Sequence, residues 1–206
     1  MVLCEQFVFT SSKLEDGGYQ VTSKSTGITS DTLKELENYL YPLGIDPSEF
    51  VESKSLLILK DGIAFVQSKN IGIGFDGRPD TMYSHIIVMK KDDFKKFEND
   101  SRIFNEYFSK ITKTGHLTPL SIEHVNLEPD FMCIDIIGII QFRECLNAIF
   151  QDKKIAIINE NNQKIIQSLL SLIPPSFRLI SFSSLVPQPE IQKNFEIIQT
   201  LEQKKS

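Results

Sequence analysis

Arg78 is the side chain best placed for recognition chemistry in this chain. It stands between Gly77 and Pro79 in the run Ile71-Gly72-Ile73-Gly74-Phe75-Asp76-Gly77-Arg78-Pro79-Asp80. An exposed loop guanidinium can meet phosphate oxygens or a partner carboxylate with two parallel hydrogen bonds. The plainer reading is a local ion pair with Asp76 or Asp80 that pins the loop. Gly72, Gly74 and Gly77 do not make a phosphate loop, because no Gly-Lys-Ser/Thr follows and no helix start is predicted next. They read instead as permitting a mobile or sharply turned connection between strands.

His85 follows Tyr83 and Ser84 in a predicted strand. Alternation puts Tyr83, His85 and Ile87 on one face and Ser84, Ile86 and Val88 on the other. The second set is the better core face, which leaves His85 as a partner contact, a general base or a hydrogen-bonded sheet histidine. Ser84 and His85 are adjacent, so they cannot pair as nucleophile and base. Cys145 beside Glu144 has Arg143 as its only cationic neighbour and reads as a small core residue. His116, His124 and Glu123 lack a nameable third ligand for a metal. Asp130 with Asp152-Lys153-Lys154 could mimic the acidic, lysine-flanked core of a magnesium-dependent nuclease, but Asp152-Lys153-Lys154 sits where a helix turns into a strand, and polar turn residues explain it.

The bulk numbers narrow the classes. The chain has 206 residues, 41% hydrophobic and 24% charged, with net charge -5 and a pI near 5.3. An acidic balance argues against a nucleic-acid binder. The densest basic stretch, Lys90, Lys91, Lys95 and Lys96, is diluted by Asp92, Asp93 and Glu98 and reads as a solvated face. Three cysteines, Cys4, Cys133 and Cys145, fit a reducing compartment better than a disulfide framework. There is no signal pattern, and the apolar run Phe131 to Ile140 is too short for a membrane span of about 20 residues. A cytoplasmic protein is expected, with no metal and no cofactor.

The elements that must position these groups follow in order. Gln6 to Thr10 and Tyr19 to Thr22 read as strands joined around Asp16-Gly17-Gly18. Ser30 is a good helix cap, and Leu33, Leu36 and Leu40 mark one apolar face ending before Pro42. Ser55 to Lys60 and Ile63 to Gln67 read as a hairpin around Asp61-Gly62, a type I′ turn signal. Tyr83 to Met89 is a fifth strand. Asp92 and Asp93 open a helical turn, and Ile103, Phe104, Tyr107, Phe108 and Ile111 predict an amphipathic helix. Residues 113–130 read as a connector. Beyond it come a buried helix over Ile134 to Phe150, a strand Lys154 to Ile158, a turn at Asn159 to Asn162 and a helix through Ile173. A strand Phe177 to Phe182 and helical spacing at Ile191, Phe195, Ile198 and Leu201 complete the pattern. The strand, helix and strand after 153 suit a βαβ crossover.

The first-half element order resembles a longin domain, in which a five-stranded sheet carries one helix on one face and two on the other. Ala148 to Ile158 and the helix ending Leu169-Leu170-Ser171-Leu172-Ile173-Pro174-Pro175 resemble the core of a DENN module. Thr10-Ser11, Gly18 to Val21, Ser25 to Ile28, Asp76-Gly77-Arg78 and Tyr83-Ser84-His85 are similar to the N-terminal region of GTPase-associated protein 1. The fold class expected is therefore α+β or α/β: a longin-like domain over 1–112, a connector over 113–130 and a DENN-like βαβ region over 131–206. The resemblance implies a non-catalytic scaffold that engages a small GTPase, leaving open activating or exchange activity on that partner. Asp76, Gly77, Arg78, Tyr83 and His85 are the candidate partner contacts, and Arg78 is the candidate trans-acting arginine. A homo- or heterodimer is a further expectation. The rivals are an accessory protein of an NTP-dependent defence system and, behind it, a metal-dependent nuclease.

Overall fold

Eleven residues at the N-terminus, Val2–Ser12, form the strand on which most of the fold is assembled. The computed structural model describes residues 1–12, 18–36, 39–40, 52–108, 116–125, 127–151, 153–158, 164–184 and 196–200. In chain order the described strands are β1 (Val2–Ser12), β2 (Gly18–Lys24), β3 (Glu52–Ile58), β4 (Gly62–Asn70), β5 (Met82–Lys90), β6 (Leu120–Ile122), β7 (Ile155–Ile158), β8 (Phe182–Ser183) and β9 (Ile197–Thr200). The α-helices are α1 (Ser30–Leu36), α2 (Lys91–Lys95), α3 (Met132–Phe150) and α4 (Ile165–Ser171). Two 3-10 helices, Ser101–Tyr107 and Pro175–Phe177, complete the set. No helix among the described residues is long and apolar enough to cross a membrane.

The strands join one sheet in the order β2-β1-β5-β4-β3-β8-β9-β7, with β6 paired to the start of β1. From β2 through β8 the pairing is antiparallel; β8, β9 and β7 run parallel. The molecule is thus α+β, with a large antiparallel sheet and helices on both faces.

Each face of the five first-half strands is apolar on its own alternation. On one face Phe7, Leu57, Leu59, Ala64, Val66 and Ile86 pack with Ile28, Leu36 and Leu40 around α1. On the other, Leu56, Phe65, Ile87 and Met89 meet Phe94, Phe97, Ile103, Phe104 and Phe108, and the same cluster continues into α4 and β8. Phe65 is its hub. Its ring lies 5.1 Å from Phe104, 5.3 Å from Phe108 and 6.3 Å from Phe182. Aromatic pairs at these separations add to the free energy of simple burial.

Several local expectations change. The cap of α1 is Thr29 rather than Ser30, since the Thr32 N–H donates to Thr29 Oγ1 at 3.2 Å. The Asp61-Gly62 hairpin forms, but neither residue has positive φ, so its turn is not type I′. Glycine is needed there for another reason: a Cβ on Gly62 would lie 2.6 Å from the Met89 carbonyl oxygen of the neighbouring strand. The amphipathic helix is a 3-10 helix, whose three-residue turn stacks Ser101, Phe104 and Tyr107 on one side. Leu120–Ile122, inside the expected connector, forms β6.

The second half departs further. α3 is not buried all round: Cys133 and Ile149 are buried, while Ile139 and Ile140 are 68% and 67% exposed. Gly138 (φ 79°) interrupts it, and only one side of the helix packs toward the core. Of the strand expected over Phe177 to Phe182, only Phe182 lies in a strand, β8, because Pro174-Pro175 starts a 3-10 turn. The helical spacing through Ile198 gives way to a strand, β9. Its backbone pairs in parallel with β7 on one side and β8 on the other. β9 therefore separates β7 from β8, and the expected βαβ pair is not adjacent. The turn residues Asp16-Gly17, Pro42, the turn at Asn159 to Asn162, Ile111, Ile191, Phe195 and Leu201 lie outside the described residues.

An ionic joint ties the two halves. Arg102 grips Asp100 through Nη2 at 2.6 Å and Nε at 3.0 Å. Arg178 reaches the same carboxylate at 3.7 Å while donating to the carbonyls of Ile173 and Ser171. Both arginines and Asp100 are largely shielded from water, so each needs the other's charge. Asp100→Asn is expected to cost about 3 kcal/mol in urea unfolding, whereas Glu98→Gln at the exposed rim shifts stability by about 0.5 kcal/mol or less. Phe65→Ala should cost about 3–5 kcal/mol, read as a lower midpoint at unchanged slope.

Candidate functional site

The loop joining β4 to β5 is held by its own backbone. Ile71 N–H donates to the Thr81 carbonyl at 2.9 Å, and Thr81 N–H returns to Gly72 at 2.9 Å. Inside that base, Gly74 N–H donates to the Arg78 carbonyl at 2.8 Å and Gly77 N–H to the Gly74 carbonyl at 3.0 Å. Gly72 and Gly77 take positive φ (71° and 86°), which side-chain-bearing residues seldom adopt. Gly74 has a different task. A Cβ there would lie 2.4 Å from Thr81 Oγ1 and 2.7 Å from Ser11 Oγ, so the loop can fold onto β1 only if this residue has no side chain. The connection is sharply turned and stapled, with Asp76 as its pin.

Asp76 Oδ1 accepts from the Ser11 hydroxyl at 3.0 Å and from the Arg78 N–H at 3.0 Å. The Arg78 N–H holds the Asp76 carboxyl below its ordinary range, aided by Ser11 and the Arg78 guanidinium and opposed by partial burial. Asp76 is thus a carboxylate at neutral pH. Arg78 Nε lies 3.9 Å from Asp76 Oδ2, and the Arg78 side chain is 50% exposed. Its guanidinium carbon sits 5.8 Å above the ring of Tyr19 on β2. The local pair anticipated for Arg78 is therefore present with Asp76, yet half of the side chain still meets solvent.

Tyr83 and His85 are elsewhere: both are buried in β5. Val8 on β1 and Gln67 on β4 flank His85, so its face is a core face as well. The better-core assignment failed because helices cover both sides of the sheet. His85 Nε2 shares a 2.8 Å hydrogen bond with Gln6 Oε1, and its ring meets the Phe108 ring edge-on at 5.1 Å. Its Nδ1 is buried without a hydrogen-bond partner. Ser84 turns the other way, to Ser68 Oγ at 2.7 Å. The five expected contacts thus divide into exposed Gly77 and Arg78, the largely covered Asp76 side chain that pins them, and a buried pair.

The other candidates remain apart. His116 and His124 are exposed, and His124 stacks on Phe97 with ring centroids 5.8 Å apart. Among the described residues no three His, Cys, Asp or Glu side chains converge as a metal site; Asp152 lies outside them. Burial pushes the Cys4 thiol up to about 12 and also raises Cys133 and Cys145. Lys95 and Lys96 pair with Asp92 and Asp93 at 2.8 and 2.6 Å along α2, as a solvated face would. Sequence reasoning missed Tyr19, Ser11 and Thr81, the residues that seat the loop. The signal for Ser11 and Tyr19 was their place in the Thr10-Ser11 and Gly18 to Val21 stretches that carry the family resemblance.

Residues 3–104 match the family model described as GTPase-associated protein 1, N-terminal domain type 2. The chain is close to the N-terminal region of GTPase-associated protein 1. The match spans β1 through the loop, β5 and most of the first 3-10 helix, and so contains every residue of the stapled site. No curated protein matches the chain. The description associates this region with a GTPase system, and the site offers an anchored cation rather than a nucleotide-binding loop.

Burial lowers the His85 pKa to about 4, with a smaller push from Lys69. The unfolded chain therefore binds the proton first as pH falls below about 6.5. Stability contributed by neutral His85 is complete above that pH and is lost as pH drops toward 4, by about 3 kcal/mol at most. His85→Gln should remove this part of the pH slope, measured as the difference between wild-type and variant unfolding free energies from pH 7 to 4.

Proposed function

We propose that this chain is a protein-interaction scaffold that engages a small GTPase, acting as a regulator or adaptor of the longin–DENN kind. The observation that carries the reading is the family match over residues 3–104, whose description names a GTPase association. The first-half layer supports it, with α1 on one face and α2 plus the 3-10 helix on the other, as the longin resemblance implies. In this reading the longin-like domain is 1–112, the connector 113–130 and the DENN-like region 131–206. A dimer would form through an edge strand, β2 or β7. The working compartment is the cytoplasm.

Docking falls to Asp76, Gly77 and Arg78, with Tyr83 and His85 acting from inside β5 by fixing the strand on which the loop stands. Arg78 reaches the partner directly and is the candidate to complete its active site in trans. Such an arginine works only if it is held in place before the partner arrives, because immobilising a long side chain opposes binding. The Asp76 and Tyr19 contacts meet that requirement.

The test is capture. The immobilised full chain is expected to retain a GTPase from the native cell, identified by mass spectrometry. Arg78→Ala should then weaken that GTPase about tenfold or slow its stimulated hydrolysis, with an unchanged melting curve. Equal binding and turnover for wild type and variant would remove Arg78 from the site.

A further inference from the structure

We propose that Tyr19 is the positioning residue of this site, presetting Arg78 as a two-pronged donor for an anionic oxygen pair on the partner. The proposal rests on the docking role of Arg78 and adds both the residue that aims it and the chemistry it recognises.

Tyr19 is itself fixed from two directions. Its hydroxyl accepts the Met82 N–H at 3.0 Å, where the loop re-enters β5. Its ring stacks on Phe9 of β1, with centroids 6.0 Å apart and planes at 27°. The Arg78 guanidinium carbon lies over this ring at 5.8 Å from its centroid, within range for attraction between a cation and an aromatic face. Asp76 engages Nε from the side at 3.9 Å. Among the described residues, the two terminal nitrogens of Arg78 make no hydrogen bond. A planar cation with an aromatic ring beneath it and a carboxylate near its Nε offers those two nitrogens together, the fork that matches a carboxylate or the oxygens of a phosphate.

The same contacts explain why the arginine sits on this loop. The loop base, Thr81 and Met82, is bonded to Gly72 and Tyr19, and its tip is bonded through Asp76 to Ser11. Two strands therefore determine where the guanidinium stands, and β2 contributes the surface beneath it.

Nitrogen-15 relaxation of the arginine side chains tests the positioning without a partner. Arg78 Nε–H in the full chain is expected to be ring-shifted and nearly as ordered as Arg102, with exposed Arg143 as the mobile reference. Tyr19→Leu should abolish the shift and make Arg78 as mobile as Arg143. Tyr19→Phe keeps the ring, loses the Met82 bond, and should preserve most of the order. An Arg78 as mobile as Arg143 in the wild type, or unaffected by Tyr19→Leu, overturns the proposal. Melting curves of both variants show whether the fold is intact, and Tyr19→Phe carries the test if the leucine variant unfolds.

The captured GTPase supplies the second arm. Tyr19→Leu should weaken binding about two- to fivefold, and the loss should vanish in the Arg78→Ala background. An equal loss in both backgrounds also overturns the proposal. A loss confined to the GTPase carrying a non-hydrolysable GTP analogue identifies the γ-phosphate as the anion; a loss that is equal with GDP and persists in the nucleotide-free GTPase identifies a surface carboxylate. Failure of the wild type to retain any GTPase would remove the scaffold reading, while the relaxation arm still decides the role of Tyr19.

Discussion

The packing of Phe65 against Phe104, Phe108 and Phe182 is the interaction from which the rest of the architecture follows. These rings come from a central strand, the 3-10 helix with the residue after it, and a short strand near the end of the chain. Bringing them together covers one face of the sheet and sets β8 against β3. Without that cover, the five antiparallel strands would expose an apolar face to water, at roughly 25 cal/mol per Å² of apolar area. A sheet closed on both faces is stiff, and a stiff sheet is what a recognition loop needs beneath it.

The loop after β4 uses that stiffness in a polar way. Its hydrogen bonds join β1, β2 and β5, and Asp76 has two donors as well as the ion pair with Arg78. The arginine is half exposed, yet it is bounded below by an aromatic face and at the side by a carboxylate. His85 and Tyr83, in the first half of β5 just beyond the loop base, serve the interior. The division follows from geometry: a strand covered on both faces offers its partners backbone and core, and only the turn between strands can project a charge.

Much of this was legible in the residues. Alternation placed the first five strands and their order along the chain, the Asp61-Gly62 pair marked a hairpin, and Arg78 stood out as an exposed loop cation. The errors share a cause. Helical spacing through Ile198 concealed a strand because β9 takes its conformation from β7 and β8 on either side. The apolar run in α3 suggested full burial, but hydrophobicity says nothing about how many faces find a neighbour. Glycine at 62 was assigned to turn geometry, when the nearby Met89 carbonyl is what excludes a side chain.

What the sequence determined by itself is local: which stretches extend, which coil, where the chain turns, and that residue 78 carries a cation on a turn. Those properties depend on neighbours a few positions away. Tertiary structure decided that His85 is shielded and neutral, that Asp100 binds arginines on both sides of the connector, and that Tyr19 lies under Arg78. Each of those depends on segments brought together across the sheet, and a side chain's charge state and aim are set by the groups that surround it rather than by those that precede and follow it in the chain.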